Sequence, residues 1–444
     1  MSILHRLLTE LKDQFIQSEK GKERGAWFVY TLLAIILPGT SAKTSHLFRV
    51  LHVIFGLTTI GKKPFYSFIA SPKIPWGRLW PTLWNMIPDP CTDGRLLVAL
   101  DDYVNPKTGK NIFGCAKVFD NAAKKNQSRY PWAQLVVAIG LITVIKGRWA
   151  CLPLSQRYYF STKHITTSKP TFKGERIVFQ NKYQQAVEML DEVGRHFPEH
   201  PILVVADSWF GNQGLFKPLR QSLDSRGHLL SRLRANNNLY AMPEQPQGRR
   251  VGRPKKYGDY LGTTTSLAIA HQEHATEIAV NLYGTTRTVL FATSIVMQKT
   301  LKCPIRVVWV YRRTRWVALF TTDLSLSVAQ IIEYYGARWK IEASFKELKQ
   351  DIGSAEAQNR KPVAVYNHLN LCMMAVSLAW VYAIHLDKTP HRRHAVKGRA
   401  HYAFSDVRRV IAQQVVDKDF HMGCSPPPKP RKNIVAALFM RLAA

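Results

Sequence analysis

Apolar positions recur along the chain in more than one rhythm, and each rhythm predicts a different kind of element. From Leu4 to Ser18 they fall at helical spacing. The apolar stretches Trp27–Leu37 and Ser45–Leu57, divided by Pro38 and Gly39, carry the helical pattern on. Trp76, Trp80 and Trp84 stand four apart and extend it to about residue 90. The run RLLVALDD at 95–102 breaks that pattern, since near-continuous apolar sequence ending in two carboxylates reads as a buried central strand. After a turn at Asn105–Gly109, Asn111–Val118 reads as its hairpin partner. Trp132–Ile145 and Arg148–Leu154 supply further strands, Tyr183–Phe197 a helix, and Pro201–Ala206 a short buried strand ending at Asp207. A helix is expected from Gln213.

The second half changes character. Runs at Thr264–Ala270, Glu277–Leu282, Thr288–Ala292, Ile305–Tyr311 and Trp316–Thr322 are β-branched or alternating, which predicts strands. Ile331–Ile352 reads as one amphipathic helix, and Val363–Leu386 as a long buried one. A short helical pattern lies near Asp406–Val416. The proline-rich 425–432 is expected to be a linker, and Ile434–Leu442 a segment that docks or binds DNA. These patterns divide the chain into a helical region at 1–92, a core at 93–227, a β-rich insertion at 228–323, the rest of the core at 324–387, and a basic C-terminal region at 388–444.

Charge narrows the partners. The chain has 62 Lys plus Arg against 30 Asp plus Glu, a net charge of +32, so a polyanion is the expected partner. Nucleic acid is favoured over an anionic membrane, because the basic residues are spread among aromatics along the chain and not gathered on one amphipathic helix. Six cysteines at 91, 115, 151, 303, 372 and 424 form no metal or disulfide pattern. His271 and His274 have ligand-like spacing but no evident partners. No signal-peptide layout opens the sequence. Trp27–Leu37 is too short to span a bilayer, and Leu369–Leu386 carries Asn370 and His385. A cytoplasmic, nucleoid-associated protein without a membrane partner is expected.

Within Ile331–Ile352, Tyr335, Arg338, Glu342 and Lys349 fall within roughly 60° of one another at helical pitch. A carboxylate is thereby set between cations and a phenol, although Arg338 and Glu342 at i,i+4 would also simply stabilise a helix. The spacing Tyr-x2-Arg-x3-Glu-x6-Lys, with the string Arg-Trp-Lys-Ile-Glu at 338–342, resembles the signature of bacterial insertion-sequence DDE transposases. The segment Ala-Asp-Ser-Trp-Phe-Gly-Asn around Asp207 is similar to the same family's second-aspartate segment.

That resemblance implies an α/β, RNase H-like mixed-sheet catalytic core with a β-rich insertion and an N-terminal helical domain. It implies three catalytic, metal-binding acids, Asp102, Asp207 and Glu342, with Asp101 as the alternate to Asp102. The two neighbours point to opposite faces of a strand, and Tyr103 stands where family members often have Thr. Three carboxylates favour two Mg²⁺ ions, with Mn²⁺ as a substitute. Tyr335, Arg338 and Lys349 are expected to hold phosphates.

The function implied is cut-and-paste transposition, through a hairpin end or another second-strand route, by a homodimer on paired double-stranded transposon ends and target DNA. The rivals are a catalytically inactive DNA binder and an RNase H-like nuclease without joining activity. For residues 1–92, a DNA-end-binding module and a helical cap on the core are equally supported. Trp316 suits either base stacking or the β-core. In the insertion, Arg249, Arg250, Arg253, Lys255 and Lys256 form a basic loop, suited to a narrow minor groove or to solvent.

Overall fold

Five helices lead into the sheet: α1 (Ile3–Lys12), α2 (Glu19–Ile36), α3 (Thr44–Val53), α4 (Lys62–Ile69) and α5 (Trp76–Asn85). The computed structural model describes residues 2–39, 41–57, 60–121, 123–243, 255–313, 315–394 and 401–415. The first expected helix, Leu4–Ser18, ends at Lys12, and Ser18 caps the next one by accepting a hydrogen bond from the backbone of Gly21.

The core strands are β1 (Leu96–Pro106), β2 (Trp132–Ile145), β3 (Arg148–Tyr159), β4 (Ile202–Ala206) and β5 (Gly227–Arg232), in spatial order β3-β2-β1-β4-β5. The first three are antiparallel; β4 and β5 run parallel to β1. This is an RNase H-like core. β4 is buried at every position, as a central parallel strand requires. Helix α6 (Lys182–His196) starts from a capping box between Asn181 and Gln184 and packs on β2 and β3, and α7 (Gln213–Leu223) packs beside it.

Three expectations are corrected here. The hairpin partner of β1 is β2, with Asp101 opposite Ala138; residues 115–117 of the expected partner pair with the start of β2 instead. Strand β5 is hydrogen-bonded to β4, so the border drawn at 227/228 cuts a core strand away from its sheet. Thr264–Ala270 is an α-helix, since Thr263 and Ser266 close a capping box and Thr264 and Ala268 are buried on one side. Local capping outweighs the β-propensity of so short a run.

The insertion's main strands are β6 (Thr276–Leu282), β7 (Thr285–Gln298), β8 (Cys303–Arg312) and β9 (Arg315–Thr321). β9 pairs antiparallel with β5, so the insertion extends the core sheet without a break.

After it come α8 (Val328–Ala337), α9 (Lys340–Lys346), a π-helical turn at Glu347–Asp351, α10 (Pro362–His385) and α11 (Phe404–Val415). The single helix expected over 331–352 is therefore broken at Arg338–Trp339. There the amide of Trp339 bonds back to Gly336 O at 3.4 Å, a tighter three-residue turn. α10 is long and apolar enough to cross a membrane, and 89% of its apolar window is buried in the fold. Helices α1–α5 wrap it: Trp76 and Trp80 donate to Asn367 and Asn370, and His368 bonds Ala42 O. One apolar cluster runs from α1 through the sheet to α11.

Candidate active site

Where the parallel pairing of β1 with β4 ends, each chain carries a carboxylate at its next position. Leu100 is in register with Ala206, so Asp101 and Asp207 occupy the next position on each strand, facing the same side of the sheet. Asp207 Oδ1 accepts the backbone N–H groups of Trp209 and Phe210 at 3.0 and 3.1 Å, which turns the chain toward α7.

α9 returns across this face. Tyr103, two residues beyond Asp101 and on the same side of β1, packs on Phe345 with ring centroids 4.4 Å apart. Arg338, at the break before α9, reaches both acids: Nη1 lies 3.2 Å from Asp101 Oδ2 and Nη2 lies 3.0 Å from Glu342 Oε1. Its side chain is only 10% exposed, and its Nε has no hydrogen-bond partner among the described residues.

Asp102 points the other way. Its Oδ2 is paired with Lys182 Nζ of α6 at 2.5 Å, and that ammonium also lies 5.0 Å from the ring centre of Trp209. Asp101, named as the alternate, thus shares a face with Asp207 and the Glu342 helix, while Asp102, the expected ligand, makes an ion pair on the opposite face. The apolar run itself held a signal. In LLVAL-Asp and ILVVA-Asp alike, the acid that meets its counterpart is the first after five buried residues.

Burial is the largest influence on Asp101 and Tyr335. It pushes the Asp101 carboxyl up to about 7, with Arg338 and the Asp102 amide opposing and Asp207 and Asp102 adding. It also raises the Tyr335 hydroxyl, against the pull of Arg338 and Arg232. Arg338 itself is held above its ordinary range: burial opposes the charge, and Tyr335, Asp101 and Glu342 outweigh it. Arg232, at the end of β5, joins the site through Tyr335; nothing in the sequence pattern singled it out.

Lys349 lies further along β1, where its ammonium is 3.5 Å from Val104 O and 5.5 Å from the Tyr103 ring centre. Burial lowers its pKa. Trp316 is half-buried on β9, opposite Tyr311 and packed against the core. Lys255 and Lys256 are exposed; Arg249, Arg250 and Arg253 lie outside the described residues.

The donors Asp101, Asp207 and Glu342 are all carboxylate oxygens, the kind hard divalent ions take. Their spacing is another matter. Among the described residues, no three Asp, Glu, His or Cys side chains converge closely enough to hold an ion as they stand. Between Asp101 and Glu342 the guanidinium of Arg338 takes the place.

The family model for DDE superfamily endonucleases matches residues 14–288, well over half the chain. The match takes in α2–α5, both aspartate strands and part of the insertion, and ends before Glu342. No curated protein matches the chain.

Proposed function

The chain belongs to the DDE superfamily of endonucleases, enzymes that act on DNA and typically use divalent metal ions, and from that premise we propose that it is an insertion-sequence transposase. The observation that carries this reading is the placement of Asp101 and Asp207 side by side where the parallel pairing of β1 and β4 ends, with Glu342 brought to Asp101 through Arg338.

Asp101, Asp207 and Glu342 would hold Mg²⁺ in two positions, with Mn²⁺ as a substitute. Such ions, when bound, supply activation of an attacking oxygen and stabilisation of a leaving one. The chain's own cations do the positioning. Tyr335 and Arg338, with Arg232 near the phenol, orient the phosphodiester, and Lys349 binds the strand further along β1. The net charge of +32 draws DNA to this face, and the loop bearing Lys255 and Lys256 adds to the grip on the duplex.

Water cuts one strand at each transposon end. The freed 3′-hydroxyl then attacks the opposite strand, giving a hairpin, or attacks target DNA. A homodimer on paired ends, beside the nucleoid in the cytoplasm, completes the reading.

The test is excision and joining from a donor plasmid carrying the native flanking DNA, with Asp101→Asn and Glu342→Gln alongside. Mg²⁺-dependent excision and joining by wild type, lost in both variants with end binding kept, is the expected result. Cleavage without joined product would make it a nuclease. Binding without cleavage would make it an inactive DNA binder.

A further inference from the structure

Both oxygens of Asp101 are engaged. Oδ1 accepts the amide of Asp102 at 2.8 Å, and Oδ2 faces Arg338 Nη1 at 3.2 Å. Glu342 Oε1 accepts from Nη2 of the same guanidinium. A divalent ion that used Asp101 Oδ2 and Glu342 Oε1 would occupy the space Arg338 now fills, and two cations cannot share it. Arginine cannot yield by losing its proton, so it must move.

The surroundings favour that movement. Arg338 sits at the turn between α8 and α9, where the regular hydrogen-bond ladder is already interrupted. Its buried Nε makes no bond among the described residues, so the paired state leaves a donor unsatisfied. A phosphodiester offers a guanidinium bidentate acceptance by two oxygens in one plane.

Resting on the reading of these three acids as a divalent-ion site, we propose that Arg338 holds the ion's place between Asp101 and Glu342 until a DNA phosphate draws its guanidinium away. Substrate binding then releases the two carboxylates, and metal loading is licensed by DNA. Linkage makes the coupling mutual: whatever factor DNA adds to metal affinity, metal adds to DNA affinity.

The experiment is Mn²⁺ binding to the full-length protein, read from the EPR signal of free Mn²⁺, first without DNA. Arg338→Gln is expected to bind about tenfold tighter than wild type, the worth of one charge-assisted hydrogen bond. Adding Asp101→Asn to that variant should abolish the binding. Arg338→Lys keeps the positive charge but lacks the planar fork that bridges both acids, so it too should bind tighter than wild type. A duplex copied from the flanking DNA should then raise wild-type Mn²⁺ affinity more than that of Arg338→Gln.

Equal affinity of wild type and Arg338→Gln, at a site still lost with Asp101→Asn, overturns the role of Arg338 and leaves the metal site standing. Tightening in Arg338→Gln with none in Arg338→Lys reduces the effect to charge at a distance and overturns the proposal as well. Absence of any Mn²⁺ binding sensitive to Asp101→Asn, with or without DNA, removes the metal site and the proposal together.

Discussion

Arg338 Nη1 lies 3.2 Å from Asp101 Oδ2, joining two residues 237 positions apart in the chain. The same guanidinium holds Glu342, so α9 is tied to the strand end that faces it. Asp102, the next residue along, is paired with Lys182 on the other side of the sheet. One peptide bond separates a residue of the candidate site from a residue that holds α6 to the core.

Asp101→Asn and Asp102→Asn are therefore expected to part company. The first abolishes DNA cleavage. The second leaves cleavage in place and lowers stability by on the order of 1 kcal/mol, the scale of a partly exposed ion pair. Cleavage assays beside urea unfolding separate them, and loss of cleavage in Asp102→Asn alone would reverse the assignment.

The contribution of Asp101 to stability should fall as pH rises from about 4 to about 7. Burial raises Asp101 from 3.8 to about 7, so in that window the folded protein keeps a proton that the unfolded chain releases. The group's contribution is complete below the unfolded value and is lost through the folded one. Glu347, also raised to about 7 by burial and opposed by Arg148, acts with the same sign. In urea unfolding across this range, Asp101→Asn is expected to gain on wild type as pH rises; a constant gap would show that Asp101 does not titrate this way.

Arg408 of α11 spends its guanidinium on three carbonyls: Ile36 O at 2.6 Å, Leu37 O at 2.8 Å and Asp351 O at 2.7 Å. It closes the C-terminal end of α2 and the end of the π-helical turn together. Arg408→Met should cost about 3 kcal/mol or more, since several buried acceptors lose their donor at once. Chemical denaturation gives the value, and a loss under about 1 kcal/mol would mean that other donors replace it.

Replacing Arg249, Arg250, Arg253, Lys255 and Lys256 by neutral residues should weaken DNA binding and flatten its salt dependence. Each phosphate that these cations no longer neutralise reduces the slope of log K against log salt by about 0.9. Titrations at several salt concentrations measure it, and an unchanged slope would place the loop away from DNA.

Much of the fold was legible in the chain because burial imposes rhythm. The continuous apolar runs before Asp101 and Asp207 read as buried central strands, and the apolar length of Val363–Leu386 as a helix covered on every side. What misled was local and short. Thr264–Ala270 has the composition of a strand, but Thr263 and Ser266 cap it as a helix. Ile331–Ile352 has an unbroken helical stripe, but the chain turns at Arg338–Trp339 and again passes into a π-helical turn at Glu347–Asp351.

By itself the sequence determined the kind and order of most elements and the segments that carry the acids, since these depend on residue type and spacing along one chain. It also determined that Asp101 and Asp102 face opposite ways, because side chains alternate on any strand. Which of the two meets Glu342 was decided by tertiary structure alone. That choice depends on which face of β1 the returning helix covers, and only the pairing of β1 with β4 and the packing of Phe345 on Tyr103 settle it.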